Sequence, residues 1–236
     1  MNASLYLIPS SLGETPITKI FPNDNFKIIK SLDYFIVEKF RSARRFLRSV
    51  GFDKDFEKIQ MYDLNKHTDS IEIEAMMKPL QNNHSIGIIS EAGVPAVADP
   101  GSEIVLLAHK KNIRVIPLIG PSSILIALMS SGFNGQKFAF HGYLPVKSYE
   151  RIKAIKALEK RSYQNRETQI FMETPYRNMK LIEDIFAHAS PKTLFCIACD
   201  LSLDTEFIRT KTIREWKDKI PDIHKRPGIF LLQAYS

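Results

Sequence analysis

Cysteine is almost missing from this chain: Cys196 and Cys199 are the only two among 236 residues. Two are too few for a disulfide framework and suit a reducing compartment. They form a CxxC, but the surrounding residues read as a strand, where positions i and i+3 face opposite ways. No second pair stands nearby, so buried free thiols are expected rather than a metal site. The six histidines are scattered without ligand spacing, and no HExxH is present. A GxxxxGKS or GxxxxGKT phosphate loop is absent, as is a GxGxxG after the first strand, which argues against a dinucleotide-binding Rossmann domain. No apolar run reaches the roughly 18 residues of a membrane span. Met1–Pro9 lacks the basic start and cleavage site of a secretory leader. A cytoplasmic location without a membrane is therefore expected.

What is present describes a folded α/β chain. Hydrophobic residues make up 44% and charged residues 25%, ordinary values for a globular protein. Lys and Arg number 33 against 26 Asp and Glu, a net charge of +7. Such an excess is compatible with an anionic partner and equally with an ordinary solvated surface. Strand-like runs at Leu5–Ile8, Tyr34–Val37 and Ile86–Ile89 alternate with helical periodicities, among them Ala43, Phe46, Leu47 and Val50. Asp69 and Glu72 have the spacing of a capping box, and Pro79 should kink or end that helix. Asp99-Pro100 reads as the N-cap and first residue of the next helix. Ile113–Ile119 returns as a strand parallel to Ile86–Ile89. Ile124–Met129 is apolar all round, so the helix Ser122–Ser131 should be buried. Strands at Phe138–Tyr143, Thr168–Met172, Leu194–Ala198 and Gly228–Tyr235, with helices between, complete a second half. Two α/β domains, 1–117 and 118–236, are the expected division.

Two small-residue segments stand at strand ends. Ser90–Gly101 is rich in Gly, Ala and Pro, and such loops at the carboxyl ends of parallel strands bind ligands in open α/β sheets. Gly93 permits close backbone approach, and Glu91 can accept hydrogen bonds from hydroxyls or an amine. Gly120-Pro121-Ser122-Ser123 supplies a second turn with helix N–H groups. Each alone is no more than a tight connection; together they read as a crevice for a small ligand.

The segments LYLIPSSLGE, SEAGVPAVADPG, PLIGPSSILIALMSSGF, FHGYLPVKSYER, IFMETPYR and GIFLLQAY occur in that order. In this they resemble the tetrapyrrole-methylase superfamily of S-adenosylmethionine enzymes, and within it the branch that methylates a ribose 2′-hydroxyl of a cytidine in 16S ribosomal RNA. The resemblance implies two α/β domains of the tetrapyrrole-methylase type with the cofactor cleft between them, usually in a homodimer. It implies S-adenosyl-L-methionine contacts at Leu12, Glu91, Gly93, Val94, Ser122, Ser123, Met172 and Gly228. It matches Lys147 to a family lysine, either a base for the acceptor hydroxyl if desolvated or an exposed phosphate contact. Ribosomal RNA or the small subunit is the implied partner. Arg41, Arg44, Arg45, Arg151 and Arg177 are the RNA-contact candidates, with a solvated surface as the alternative.

The chain departs from its RNA-branch relatives in places. Glu91 and Val94 stand where they have Asp and Thr, Glu38–Arg41 retains only the ends of an EDTR segment, and Ala198–Leu203 loses an Arg and a Lys. Two other readings therefore remain: a methylase of the same fold acting on a tetrapyrrole or translation factor, or a non-catalytic RNA-binding relative.

Overall fold

The structure is a computed structural model that describes residues 3–65 and 67–235. It divides into two compact units, Met1–Ser122 and Ser123–Ser236. The division falls five residues beyond the 117/118 boundary read from sequence. Leu118 still donates its N–H to the Leu7 carbonyl (2.9 Å), which ties the following turn to the first unit.

The first unit is a parallel sheet with helices on both faces. Its elements are β1 (Ser4–Ile8), α1 (Asn23–Ser31), β2 (Tyr34–Val37), α2 (Phe40–Ser49), β3 (Gln60–Asp63), α3 (Ser70–Met76), α4 (Lys78–Gln81), β4 (Ile86–Ile89), α5 (Ser102–Lys110) and β5 (Arg114–Pro117). The strand order is β3-β2-β4-β1-β5, every pair parallel. All four residues of β4 are buried, as an apolar run covered on both faces requires. One face packs Phe35 and Val37 with Ile29 of α1 and Ala43 and Leu47 of α2. The other packs Ile36, Ile86 and Ile88 with Ile73, Met76, Ile104 and Ala108. Asp69 and Glu72 form the capping box read from sequence. Helical structure breaks at Met77, two residues before Pro79.

One local reading needs correction. Asp99 does not cap a helix: α5 starts at Ser102, its N-cap is Gly101 at φ 124°, and no side chain caps it. Asp99 instead accepts a hydrogen bond from the Ser90 hydroxyl. Ala98 at φ 63° and Gly101 turn the chain before the helix can begin.

The second unit holds α6 (Ser123–Ser131), β6 (Phe138–Tyr143), α7 (Ser148–Asn165), β7 (Thr168–Glu173), α8 (Asn178–His188), β8 (Leu194–Cys199), β9 (Phe207–Thr212), α9 (Ile213–Asp218) and β10 (Gly228–Gln233). Its sheet runs β6-β7-β10-β8-β9. Only β6 and β7 pair in parallel; the other pairs are antiparallel. Phe171, Phe195 and Phe230 stack across three strands at 5.9–6.5 Å between centroids, with Trp216 and Phe186 closing the same core. Helix α6 is not buried all round: Ile124, Ala127 and Leu128 are buried, but Leu125 is 55% and Met129 82% exposed. Cys196 and Cys199 are free and buried, and burial pushes their thiols up to about 11 and about 12. Among the described residues no helix is long and apolar enough to cross a membrane, and no metal-binding group of side chains occurs.

Candidate functional site

In the first sheet β1 and β4 are neighbours, yet the chain leaves them in opposite directions. From β1 it passes to β2 on one side; from β4 it passes β1 to reach β5 on the other. The loops after these strands therefore part at a topological switch point, the usual ligand crevice of an open α/β sheet. They remain joined at one rung. Ser10 donates its N–H to the Gly93 carbonyl (2.7 Å), and Gly93 donates back to Ser10 (3.2 Å). The Ser10 hydroxyl donates to the Ser90 carbonyl (2.5 Å).

Gly93 sits at φ +77°, and a Cβ there would lie 3.5 Å from Leu12 Cδ2 and 3.7 Å from the Pro121 carbonyl oxygen. Both expected segments and the first loop thus meet at Gly93. The turn itself is packed tightly: a Cβ on Gly120 would fall 2.2 Å from Pro9 Cγ. Ala96 and Ala98 adopt φ 64° and 63°, a left-handed conformation that strains an L side chain by about 1–3 kcal/mol each. Strain of this kind concentrates at ligand clamps and active sites.

The electrostatics of the loop were not legible in the sequence. Glu91 is held by the Ser42 hydroxyl and by Lys39 Nζ at 3.1 Å, both from the start of α2. Glu38, just after β2, has its carboxyl pushed above the usual range by burial, then by Asp99 and Glu91; a hydrogen bond from the Glu91 backbone pulls the other way. Its Oε1 is buried without a hydrogen-bond partner. Burial also raises Asp99, with the Ser90 hydroxyl opposing and Glu91 adding to the rise. Three carboxylates thus border the loop, one with an oxygen that lacks a donor. Glu38 was visible only as the end of a partly retained segment, and Asp99 only as a cap. Their burial and mutual proximity arise from tertiary packing.

Of the expected cofactor contacts, Leu12, Glu91, Gly93, Val94 and Ser122 belong to the first unit. Leu12, Glu91, Val94 and Ser122 are half-buried. Ser123, Met172 and Gly228 belong to the second. There Met172 pairs with Ile229, and Gly228 lies in register with Glu173 on one side and Cys199 on the other. A Cβ on Gly228 would meet Cys199 Sγ at 3.0 Å, which explains glycine at that rung.

The basic candidates separate into two classes. Arg41, Arg44, Arg45 and Arg48 are exposed along α2, and among the described residues none has a carboxylate within ion-pair distance. Arg151 is different and does not face solvent. It is 4% exposed, donates through Nε to Asp184 at 2.8 Å, and donates through NH1 to the Val146 carbonyl at 2.6 Å. The helical repeat turns it toward α8, so it pins the segment before α7 and is no RNA contact. Arg177 is held by Glu173, with Nε at 2.9 Å from Oε1. Lys147 is not desolvated: its side chain is 83% exposed and lies 3.7 Å from Glu150.

The sequence profile of the family described as Tetrapyrrole (Corrin/Porphyrin) Methylases matches residues 25–217. The chain is 28% identical to the ribosomal RNA small subunit methyltransferase I of Escherichia coli O157:H7 over 98% of its own length and 77% of that protein. It is 28% identical to the protein of that name from Haemophilus influenzae, over 99% and 80%. Among solved structures, the methyltransferase CobJ superimposes with a TM-score of 0.64 at 14% identity, covering 98% of this chain and 94% of that one. A uroporphyrin-III C-methyltransferase from Thermus thermophilus complexed with S-adenyl homocysteine gives 0.58 at 13% identity, covering 98% and 97%.

Proposed function

The chain belongs to the tetrapyrrole (corrin/porphyrin) methylases, a family of S-adenosylmethionine-dependent methyltransferases, and we propose that it transfers the methyl group to a ribose 2′-hydroxyl of a cytidine in 16S ribosomal RNA. The observation that carries this choice of acceptor is near end-to-end similarity to the small-subunit methyltransferases. The unpaired arginines of α2 support it, because a polyanionic strand is what such a row of cations binds.

The residues of the first unit suit the cofactor. Gly93 leaves room for backbone approach, Glu38 Oε1 is a buried acceptor awaiting a donor, and the acidic border favours a cationic ligand over an anionic one. Leu12, Glu91, Gly93, Val94 and Ser122 would hold it, together with Ser123, Met172 and Gly228 of the second unit. S-adenosylmethionine supplies an electrophilic methyl group on a sulfonium.

The chain's own part is alignment, exclusion of water and management of one proton. The strained loop 90–101 gives a fixed backbone wall. Lys39 and Ser42 fix the Glu91 carboxylate, so its acceptor geometry is set before a ligand arrives. Lys147, open to solvent, serves the phosphate backbone rather than the hydroxyl proton, since a lysine acts as a base only when desolvation lowers its basicity.

The test is transfer of labelled methyl to small ribosomal subunits from a strain lacking this gene, followed by mapping of 2′-O-methyl sites. Label on a cytidine ribose is expected. Label on protein or on a tetrapyrrole, and none on RNA, would overturn the assignment.

A further inference from the structure

Helix α2 carries more than charge. Phe35 in the core meets Phe52 edge-on at 5.7 Å. Phe52 stacks on Phe56 at 6.1 Å and 14°. The Arg48 guanidinium lies 4.3 Å from the Phe56 centroid and that of Arg44 5.5 Å away. Arg48 is fixed further by donating to the Phe52 carbonyl at 2.8 Å. A column of planar groups thus runs from the core to the surface and ends in two guanidinium groups over one ring. Asp53, Asp55 and Glu57 lie in the same loop, yet none comes within ion-pair distance of either arginine. Holding two like charges so close is unfavourable unless a partner spreads or neutralises them.

Beside this column is a recess of about 310 Å³ lined by Phe40, Arg44, Phe56, Ile59, Gln60 and Met61. Phe40 is 43% exposed, and Gln60, the first residue of edge strand β3, presents its amide to solvent. The recess adjoins the ligand loop through one turn of helix: Lys39 and Ser42 reach Glu91, while Phe40 and Arg44 face the recess.

We propose that this recess is a subsite for one unpaired nucleobase of the RNA acceptor, flanking the nucleotide that is methylated. The proposal rests on the RNA reading above. A splayed base finds an aromatic face at Phe40, a guanidinium plane at Arg44 and an amide at Gln60 that both donates and accepts, the groups by which proteins read single-stranded bases. The adjoining phosphates meet Arg41 and Arg45. The packed backing of Phe35, Phe52 and Phe56 holds the platform before binding, which lowers the entropy lost on association. A duplex cannot enter, because its bases are stacked and paired.

The test uses the intact protein and a short single-stranded oligoribonucleotide carrying a fluorescent aminopurine, beside the same sequence as a duplex. Phe40→Ala and Arg44→Gln should each weaken single-strand binding by about tenfold and reduce quenching of the aminopurine. They should raise KM for RNA far more than they lower kcat. Arg44→Lys keeps the charge but not the plane, so it should lose affinity while the salt dependence stays as in the unmodified protein. Affinity for S-adenosylmethionine should be unchanged in all three, which also shows that they fold. Single-strand binding unaltered in Phe40→Ala and Arg44→Gln, or a duplex bound as tightly as the single strand, would overturn the subsite. Tight oligonucleotide binding that these variants weaken, without methyl transfer to ribosomal RNA, would instead overturn the acceptor assignment and leave the subsite standing.

Discussion

Glu91 lies beside Glu38 and adds to the rise of its carboxyl, after burial and Asp99, while Glu38 Oε1 is buried with no hydrogen-bond partner. The loop residue thus sets a second acidic group beside a buried carboxyl that is not fully satisfied.

This relationship has opposite consequences for stability and binding. The Glu38 carboxyl is raised in the folded state, first by burial and then by Asp99 and Glu91. A carboxyl raised on folding favours the native state while protonated; that advantage is lost as pH rises from the ordinary carboxylate range through the folded value. Glu38→Gln should therefore melt like the unmodified protein in acid and at the same or higher temperature near neutrality. Its affinity for S-adenosylmethionine should fall by about tenfold, the scale of a lost hydrogen bond to a charged group. Thermal melts across pH with calorimetric titration of the cofactor check both; a melting temperature that drops near neutrality would contradict the sign.

Gly120 tests the packing of the second turn. A methyl group there would sit 2.2 Å from Pro9 Cγ, and the proline ring cannot swing aside as a flexible side chain would. Gly120→Ala should destabilise the first unit by about 1–3 kcal/mol, the usual cost of overpacking, read as a lower urea midpoint. Gly135, where a Cβ would meet nothing within 4 Å and φ, as at Gly120, lies outside the left-handed region, is the matched control for adding a methyl group alone. Equal losses at the two sites would show that the Pro9 contact contributes nothing.

These effects also mark what the residues disclosed in advance. β4 was legible because four consecutive apolar residues need cover on both faces, and the capping box at Asp69 because its chemistry is local. Strands β3 and β9 were not legible. Gln60–Asp63 and Phe207–Thr212 are sheet edges, half exposed and mixed in polarity, so burial leaves no period in them; α1 was likewise missed. The loop 90–101 was recognisable as a small-residue turn at a strand end, whereas the role of Asp99 was misread because a local capping signal lost to a hydrogen bond from Ser90. The charges around Glu38 depend on which strands become neighbours, and no local pattern carries that.

Lys147 offers a test of proton handling. A lysine that is 83% exposed beside Glu150 lacks the desolvation by which a lysine becomes a base and suits a phosphate contact instead. Lys147→Ala should raise KM for RNA several-fold at low salt and leave kcat and its pH profile nearly unchanged, with the difference shrinking as salt is added. Loss of the rise of kcat with pH would restore the lysine as a base.

The two classes of arginine make the sharpest contrast. Arg41 is exposed and unpaired, so Arg41→Ala should leave stability within about 0.5 kcal/mol and reduce the slope of log affinity for RNA against log salt by about one. Arg151 is buried against Asp184, and removing it leaves that buried carboxylate with only the solvent-exposed Lys180 at 3.4 Å, a loss toward the lower end of about 3–5 kcal/mol. Arg151→Ala should therefore unfold at markedly lower urea, while whatever remains folded binds RNA with an unaltered salt slope. The double variant Arg151→Leu with Asp184→Leu removes both charges and should recover much of the loss, because the penalty lies in the poorly compensated buried carboxylate rather than in the missing attraction. A reduced salt slope in Arg151→Ala, measured where the protein is still folded, would return that residue to the RNA surface and contradict its interior placement.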